Sequence, residues 1–165
     1  MFKQPVYFIS DNHFKLDIDP PEKERRNRIC ETFEQIKSTG GTLVIGGDFF
    51  DFWFDYHYVL PAGYVDLLTQ LHQLDQSGIN IHFVLGNHDY WDFGYFRQQF
   101  NAKVYDGNME FEYNNSRIQV CHGDGLLKND RGYRFMKKMI RSRLCIFLFR
   151  NFHPDWGCWL ANKIS

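Results

Sequence analysis

Four short polar clusters hold most of the residues able to do chemistry: Asp11-Asn12-His13, Gly47-Asp48-Phe49-Phe50-Asp51, Gly86-Asn87-His88-Asp89 and His122-Gly123-Asp124. Carboxylate and amide oxygens beside imidazole nitrogens suit borderline first-row divalent metals such as Mn, Fe, Co or Zn, whereas sets made only of carboxylate and water favour Mg or Ca. One carboxylate has two oxygens and can bridge two ions. Two ions roughly 3.5–4 Å apart can clamp a phosphoryl group for in-line displacement. Singly the clusters say little. Asp-x-His arises by chance, Gly-Asp is often a turn, and a lone His such as His122 is more often satisfied in a core. Their recurrence in one setting is what points to a metal site.

That setting is the end of a strand. Val6-Tyr7-Phe8-Ile9 reads as a buried strand and runs into the first cluster. Thr42-Leu43-Val44-Ile45 runs into the second, and residues 81–85 into the third. Residues 109–113 and 117–121 flank Asn114-Asn115-Ser116 as a hairpin whose second strand meets His122. Between the strands, residues 22–38 carry Ile29, Cys30, Phe33 and Ile36 at helical spacing, closed by Gly40-Gly41. Residues 62–76 carry Val65, Leu67, Leu68, Leu71 and Leu74 largely on one side, with Gly78 beyond. Strand–helix alternation predicts an α/β fold with a mostly parallel sheet. In such sheets, sites form outside the carboxyl ends of the strands.

A chain of 165 residues suits one domain with a sizeable core. Aromatics reach 18%, with 17 Phe, which suits either a Phe-rich core or the lining of an apolar pocket. The charge is uneven. From Lys128 to Arg150 eight Lys/Arg meet one acid, Asp130; that +7 leaves −8 for the remainder of a chain whose net charge is −1. Laid out at about 100° per residue, Arg131, Arg134, Lys137, Lys138 and Arg141 share one face of a helix. Phe135, Met136, Met139, Ile140, Leu144 and Phe147 share the other. Such a basic amphipathic helix suits a membrane surface or an amphiphilic ligand, or is an ordinary solvated face. Four cysteines without CxxC or zinc spacing read as free thiols in reducing cytoplasm. No apolar run approaches the roughly 20 residues of a membrane span, and no motif supports nucleic-acid binding.

The four clusters, in this order, resemble the motifs of the calcineurin-like metallophosphoesterase superfamily. The resemblance implies a β-sandwich flanked by helices and two divalent metal ions, with manganese the metal it suggests. It assigns Asp11 and His13 to the first ion, Asp48 to both, and Asn87 and His122 to the second. His88 would face the phosphate, with Asp89 orienting it; Asp51 is either a turn residue or a residue behind the ligands. Within the superfamily, Gly47-Asp48-Phe49-Phe50-Asp51-Phe52-Trp53 and His122-Gly123-Asp124-Gly125-Leu126 are most similar to the UDP-2,3-diacylglucosamine hydrolase family of lipid A biosynthesis. That likeness implies a core over residues 1–127 and a helical insertion, or lid, over residues 128–165. Asp130, Tyr133 and Arg134 would contact a nucleotide-linked acylated sugar. The expected enzyme is cytoplasmic, peripheral to the inner membrane, with the basic face on anionic head groups. A phosphoesterase for a nucleotide or phosphoprotein, and a metal-free scaffold, are the alternatives.

One departure stands out. The superfamily's late Gly-His-x-His pair is not found; His153 stands alone in Phe152-His153-Pro154. The expectation is a chain that stops inside the insertion, before the last strands, with each ion short of a ligand and sheet edges left unpaired.

Overall fold

The computed structural model describes residues 2–113, 115–126 and 130–164; Lys128, Asn114 and Ser165 lie outside the described residues. β1 (Val6–Ile9), β2 (Thr42–Ile45), β3 (Asn80–Val84) and β4 (Lys103–Tyr105) form one parallel sheet in the order 1-2-3-4. Between them run α1 (Pro20–Thr39), α2 (Val65–Gln76), entered through a 3-10 turn at Ala62–Tyr64, and α3 (Tyr95–Phe100). β5 (Met109–Tyr113) and β6 (Ser116–Val120) form the antiparallel hairpin, and Asn115 at its turn has φ +61°. Primed two-residue turns need such left-handed positions, which Asn tolerates. Three helices follow: α4 (Arg131–Ile140), α5 (Arg143–Asn151) and α6 (Pro154–Ile164).

Local chemistry explains the boundaries. The Asp19 carboxylate caps α1 by accepting from the Glu22 amide at 2.8 Å, and Pro20 and Pro21 fill positions that lack an intrahelical partner in any case. Alternate strand residues then build two cores. Leu43, Ile45, Ile81 and Phe83 pack on Ile29, Phe33 and Ile36 of α1 and on Leu67, Leu71 and Leu74 of α2. Val44 and Val84, on the opposite face, pack on Met109 and Phe111 of the hairpin. The parallel sheet is thus covered on both faces, as its apolar strands require, and the hairpin makes the second layer of a sandwich. Arg26 is buried, and its guanidinium ties α1 to the start of α2 by bonds to Glu22, to Asp66 at 2.7 Å and to the Gly63 carbonyl at 2.6 Å.

His82, on the hairpin side of β3, is also buried. It stacks on Phe2 at 4.3 Å and meets the Tyr105 hydroxyl at 2.9 Å. Burial first, and Lys103 second, push its pKa from 6.5 down to about 4. The folded ring therefore stays neutral where the unfolded ring takes a proton. Its contribution is complete above pH 6.5 and is lost as pH falls toward 4, by about 2–3 kcal/mol at most. Denaturant unfolding of the native protein and a His82→Gln variant should give stability curves that converge by that amount between pH 7 and pH 4. Parallel curves would remove His82 from the acid response.

The predicted single basic helix is corrected. It breaks at Arg141-Ser142, where the Ser142 side chain caps α5 by accepting from the Cys145 amide at 3.3 Å. All four cysteines are free.

Candidate metal centre

Beyond β1 and β2 the two chains continue to pair. The Asp11 amide donates to the Gly47 carbonyl (3.1 Å), His13 to Asp48 (2.9 Å) and Phe14 to Phe49 (3.0 Å), and Asp51 donates back to Phe14 (2.9 Å). This zipper holds three non-glycine residues in the left-handed region: Asp11 at φ +52°, His13 at +44° and Asp48 at +49°. Each such conformation costs on the order of 1–3 kcal/mol and persists only where surrounding contacts impose it. All three fall on residues predicted as metal ligands.

Their side chains converge. Asp48 is buried, and its Oδ2 lies 3.4 Å from His13 Nε2 and 3.1 Å from His122 Nε2. His122 Nε2 is also 3.2 Å from Asn87 Oδ1. One ligand atom from each of Asp11, His13 and Asp48 falls within a 4.8 Å group. The structure thus joins all five predicted ligands around one carboxylate, Asp11, His13, Asp48 and Asn87 from the parallel sheet and His122 from the hairpin. Burial alone would raise the Asp48 pKa, but the His122 ring and the His88 amide hydrogen-bond its carboxylate and hold it low. The same bond to Asp48 pushes His122 up to about 9. The acids here draw a proton onto a ring that a divalent cation would instead ligate, displacing that proton. The donor set and its convergence fit divalent metal.

The other ring nitrogens are also held. His122 Nδ1 faces the Gly46 carbonyl at 3.3 Å, and His88 Nδ1 the Asp51 carbonyl at 2.5 Å. The contact that orients His88 therefore comes from the Asp51 main chain, not from Asp89. Asp89 is fully buried, and its carboxylate accepts from the Phe49 amide at 2.9 Å and the Gly86 amide at 2.7 Å. It staples the loop after β2 to the loop after β3, and burial raises its pKa to about 7. Asp51, which sequence reasoning left between two readings, sets its carboxylate Oδ1 3.3 Å from His13 Nδ1.

Beside Asn87 and His88 opens an apolar cavity of about 540 Å³ between the loops after β2 and β3 and the C-terminal helices. Phe52, Phe54 and Trp91 line it from those loops, and Tyr133, Met136, Ile140, Ile146 and Phe149 from α4 and α5. The surplus aromatics thus serve both roles considered: most fill the core, and some line this cavity. Tyr133 lines the cavity and donates to Asp124 at 2.7 Å; Arg134 donates to the Gly125 carbonyl at 3.0 Å; Asp130 takes the N-cap position of α4, off the cavity wall. Lys137 pairs with Asp124 at 2.5 Å, and Arg141 lies 3.5 Å over the Tyr90 ring and donates to the Gly86 carbonyl. Arg134, Lys137 and Arg141 therefore face the loops of the metal centre, where carbonyls and Asp124 need cations. Phe135 and Met139 of α4 and Leu144 and Phe147 of α5 are exposed. Arg131 and Lys138, of the same predicted face, stay exposed. α6 falls inside the span expected to be helical, and Pro154 followed by Trp156, Trp159 and Leu160 is its helix-start signal.

Comparison with known proteins gives the family. The sequence is 32% identical to a UDP-2,3-diacylglucosamine hydrolase from Porphyromonas gingivalis over 99% of this chain and 63% of the relative. It is 28% identical to the enzyme of that name from Neisseria meningitidis serogroup B over 98% of this chain and 65% of the relative. The chain thus spans less than two thirds of these curated relatives' length. A solved structure of a protein of unknown function from Aquifex aeolicus aligns over 82% of this chain and 70% of its own, at 24% identity and a TM-score of 0.43. The family model for calcineurin-like phosphoesterases, a family whose sites hold divalent metals, matches residues 4–159. With carboxylate, amide and imidazole donors gathered at four strand ends across that span, the chain belongs to the calcineurin-like phosphoesterase family.

Proposed function

We propose that this protein hydrolyses the pyrophosphate bond of UDP-2,3-diacylglucosamine, giving UMP and 2,3-diacylglucosamine 1-phosphate. The observation that carries the reading is the apolar cavity opening directly beside Asn87 and His88. A phosphate at the metal centre would leave an attached acyl chain adjacent to Phe52, Phe54, Ile146 and Phe149, where each buried CH₂ contributes about 0.8 kcal/mol. The names of the relatives support the same substrate. Asp11, His13 and Asp48 would hold one ion and Asp48, Asn87 and His122 the other, with manganese as the metal. Bound ions would polarise the phosphoryl group and activate water. The His88 ring, held by the Asp51 carbonyl, would present Nε2 to the developing charge or the leaving oxygen. Tyr133, Arg134 and Asp130 would approach the glucosamine phosphate from α4. On this reading residues 128–165 are a lid over the core of residues 1–127. The exposed apolar side chains of the lid would meet the membrane that holds the lipid, on the cytoplasmic side of the inner membrane.

Purified protein with Mn²⁺ should release UMP from UDP-2,3-diacylglucosamine, and EDTA should stop it. The diacylated substrate should exceed the same nucleotide sugar without acyl chains by about 100-fold or more in kcat/KM, because buried methylenes are worth roughly tenfold for every two. Equal turnover of both would favour a different phosphoester. Failure to bind metal would favour the scaffold.

A further inference from the structure

We infer that Asp51 is a positioning residue that fixes two imidazoles of the metal centre at once. It holds His13 through its carboxylate and His88 through its main-chain carbonyl. The inference rests on the metal-binding reading above. A neutral imidazole carries one N–H and one lone pair, and the partner of one nitrogen decides the role of the other. Each His13 nitrogen faces a carboxylate oxygen, Nδ1 that of Asp51 at 3.3 Å and Nε2 that of Asp48 at 3.4 Å, so the partner that takes a ring lone pair decides which nitrogen keeps the proton. A cation held where Asp11 and Asp48 converge would take the Nε2 lone pair, which leaves the proton on Nδ1 for the Asp51 carboxylate. The Asp51 carbonyl accepts the Nδ1 proton of His88 at 2.5 Å, and the two rings meet edge to face with centroids 4.6 Å apart.

The difference between the two acceptors has a physical reason. The His122 side chain is 8% exposed and is held by the Gly46 carbonyl, whereas the His13 side chain is 36% exposed and on left-handed backbone. Water competes for an exposed ring. A charged acceptor, about twice as strong as a neutral one, resists that competition. Asp51 can serve because it is itself immobile: its side chain is 10% exposed, its amide donates to Phe14, and the chain beside it pairs Phe14 with Phe50. Partners of this kind behind metal-binding histidines typically change affinity 10–100-fold.

The test uses ¹⁵N-histidine-labelled protein loaded with zinc, which is diamagnetic, together with zinc titrations. In the native protein His13 should show Nδ1–H and a metal-shifted Nε2; the opposite tautomer overturns the inference whatever the variants do. Asp51→Ala should weaken zinc binding about 10–100-fold and expose the His13 Nδ1–H to rapid solvent exchange. The His88 Nδ1–H should persist, because its acceptor is main chain. Asp51→Asn should restore affinity to within about fivefold, since its Oδ1 accepts the same N–H. Affinity of Asp51→Ala within threefold of native would overturn the inference. So would equal collapse of both variants with loss of one ion per chain, which would make Asp51 a ligand. A native protein that binds no zinc or manganese would instead overturn the proposed function.

Discussion

An Asp48→Asn variant should lose divalent metal and hydrolyse a chromogenic phosphodiester, or the diacylated nucleotide sugar, at least about 10³-fold more slowly than the native protein. Removing a single preorganised donor from an active site costs about 10²–10³-fold in kcat, and Asp48 serves more than one partner. Its Oδ2 lies between His13 Nε2 and His122 Nε2, and its Oδ1 accepts the His88 amide at 2.9 Å. Asn keeps the size and the Oδ1 acceptor, so the loop carrying His88 should stay in place. The variant replaces only the oxygen between the two rings with an N–H₂ group, which cannot bind a cation. Metal content by elemental analysis and kcat/KM are the measurements, with circular dichroism as the control. A variant that is folded, metal-bound and within tenfold of native turnover would show that Asp48 does not join the two halves of the site.

The residue types at the strand ends were legible because that signal is local. Each strand is a short apolar run, each cluster follows within a few residues, and donor chemistry is a property of type. What was not legible depends on direction or on partners far along the chain. Asp51 meets His13 across 38 positions, so nothing near it in sequence shows that its carboxylate faces a ring. The resemblance gave Asp89 the task of orienting His88; in a tight loop neighbouring side chains diverge, and Asp89 is buried with its carboxylate on the Phe49 and Gly86 amides. The helical period of residues 131–147 runs straight through Arg141-Ser142, so periodicity alone could not find the break that Ser142 caps. The same period could not say which face turns inward. The inward side is mixed: Tyr133, Met136 and Ile140 meet the cavity, while Lys137 and Arg141 reach Asp124 and the Gly86 carbonyl. β4 has three residues, too few for an alternating pattern, and is a strand only because β3 offers an open edge.

Gly86→Ala should be the most damaging single-methyl change in the protein. The φ of Gly86 is negative, so its freedom at positive φ is not what the position uses; space is. A Cβ there would sit 2.0 Å from Asp48 Oδ1, 2.6 Å from the Asp48 amide nitrogen and 2.8 Å from Asp48 Cγ. Two of those three atoms belong to the side chain of the central carboxylate, and the third is main chain and cannot swing aside. Gly86 cannot retreat either, because its amide donates to Asp89 Oδ1 at 2.7 Å and its carbonyl accepts from Arg141. Relief therefore requires the loops after β2 and β3 to separate, which strains the Asp89 staple and pulls Asp48 away from His122. Overpacking of this kind costs about 1–3 kcal/mol where side chains can yield; with main chain in the way, about 3 kcal/mol or more is expected, with metal affinity lost alongside. Gly132→Ala is the matched control. Nothing lies within 4 Å of a Cβ at that glycine of α4, and alanine there should be neutral or stabilise by up to about 1 kcal/mol. Denaturant midpoints and zinc titrations of the two variants, side by side, separate a packed junction from a general sensitivity to glycine loss. If Gly86→Ala keeps native stability and affinity, the two loops are not locked together and the convergence on Asp48 has another cause.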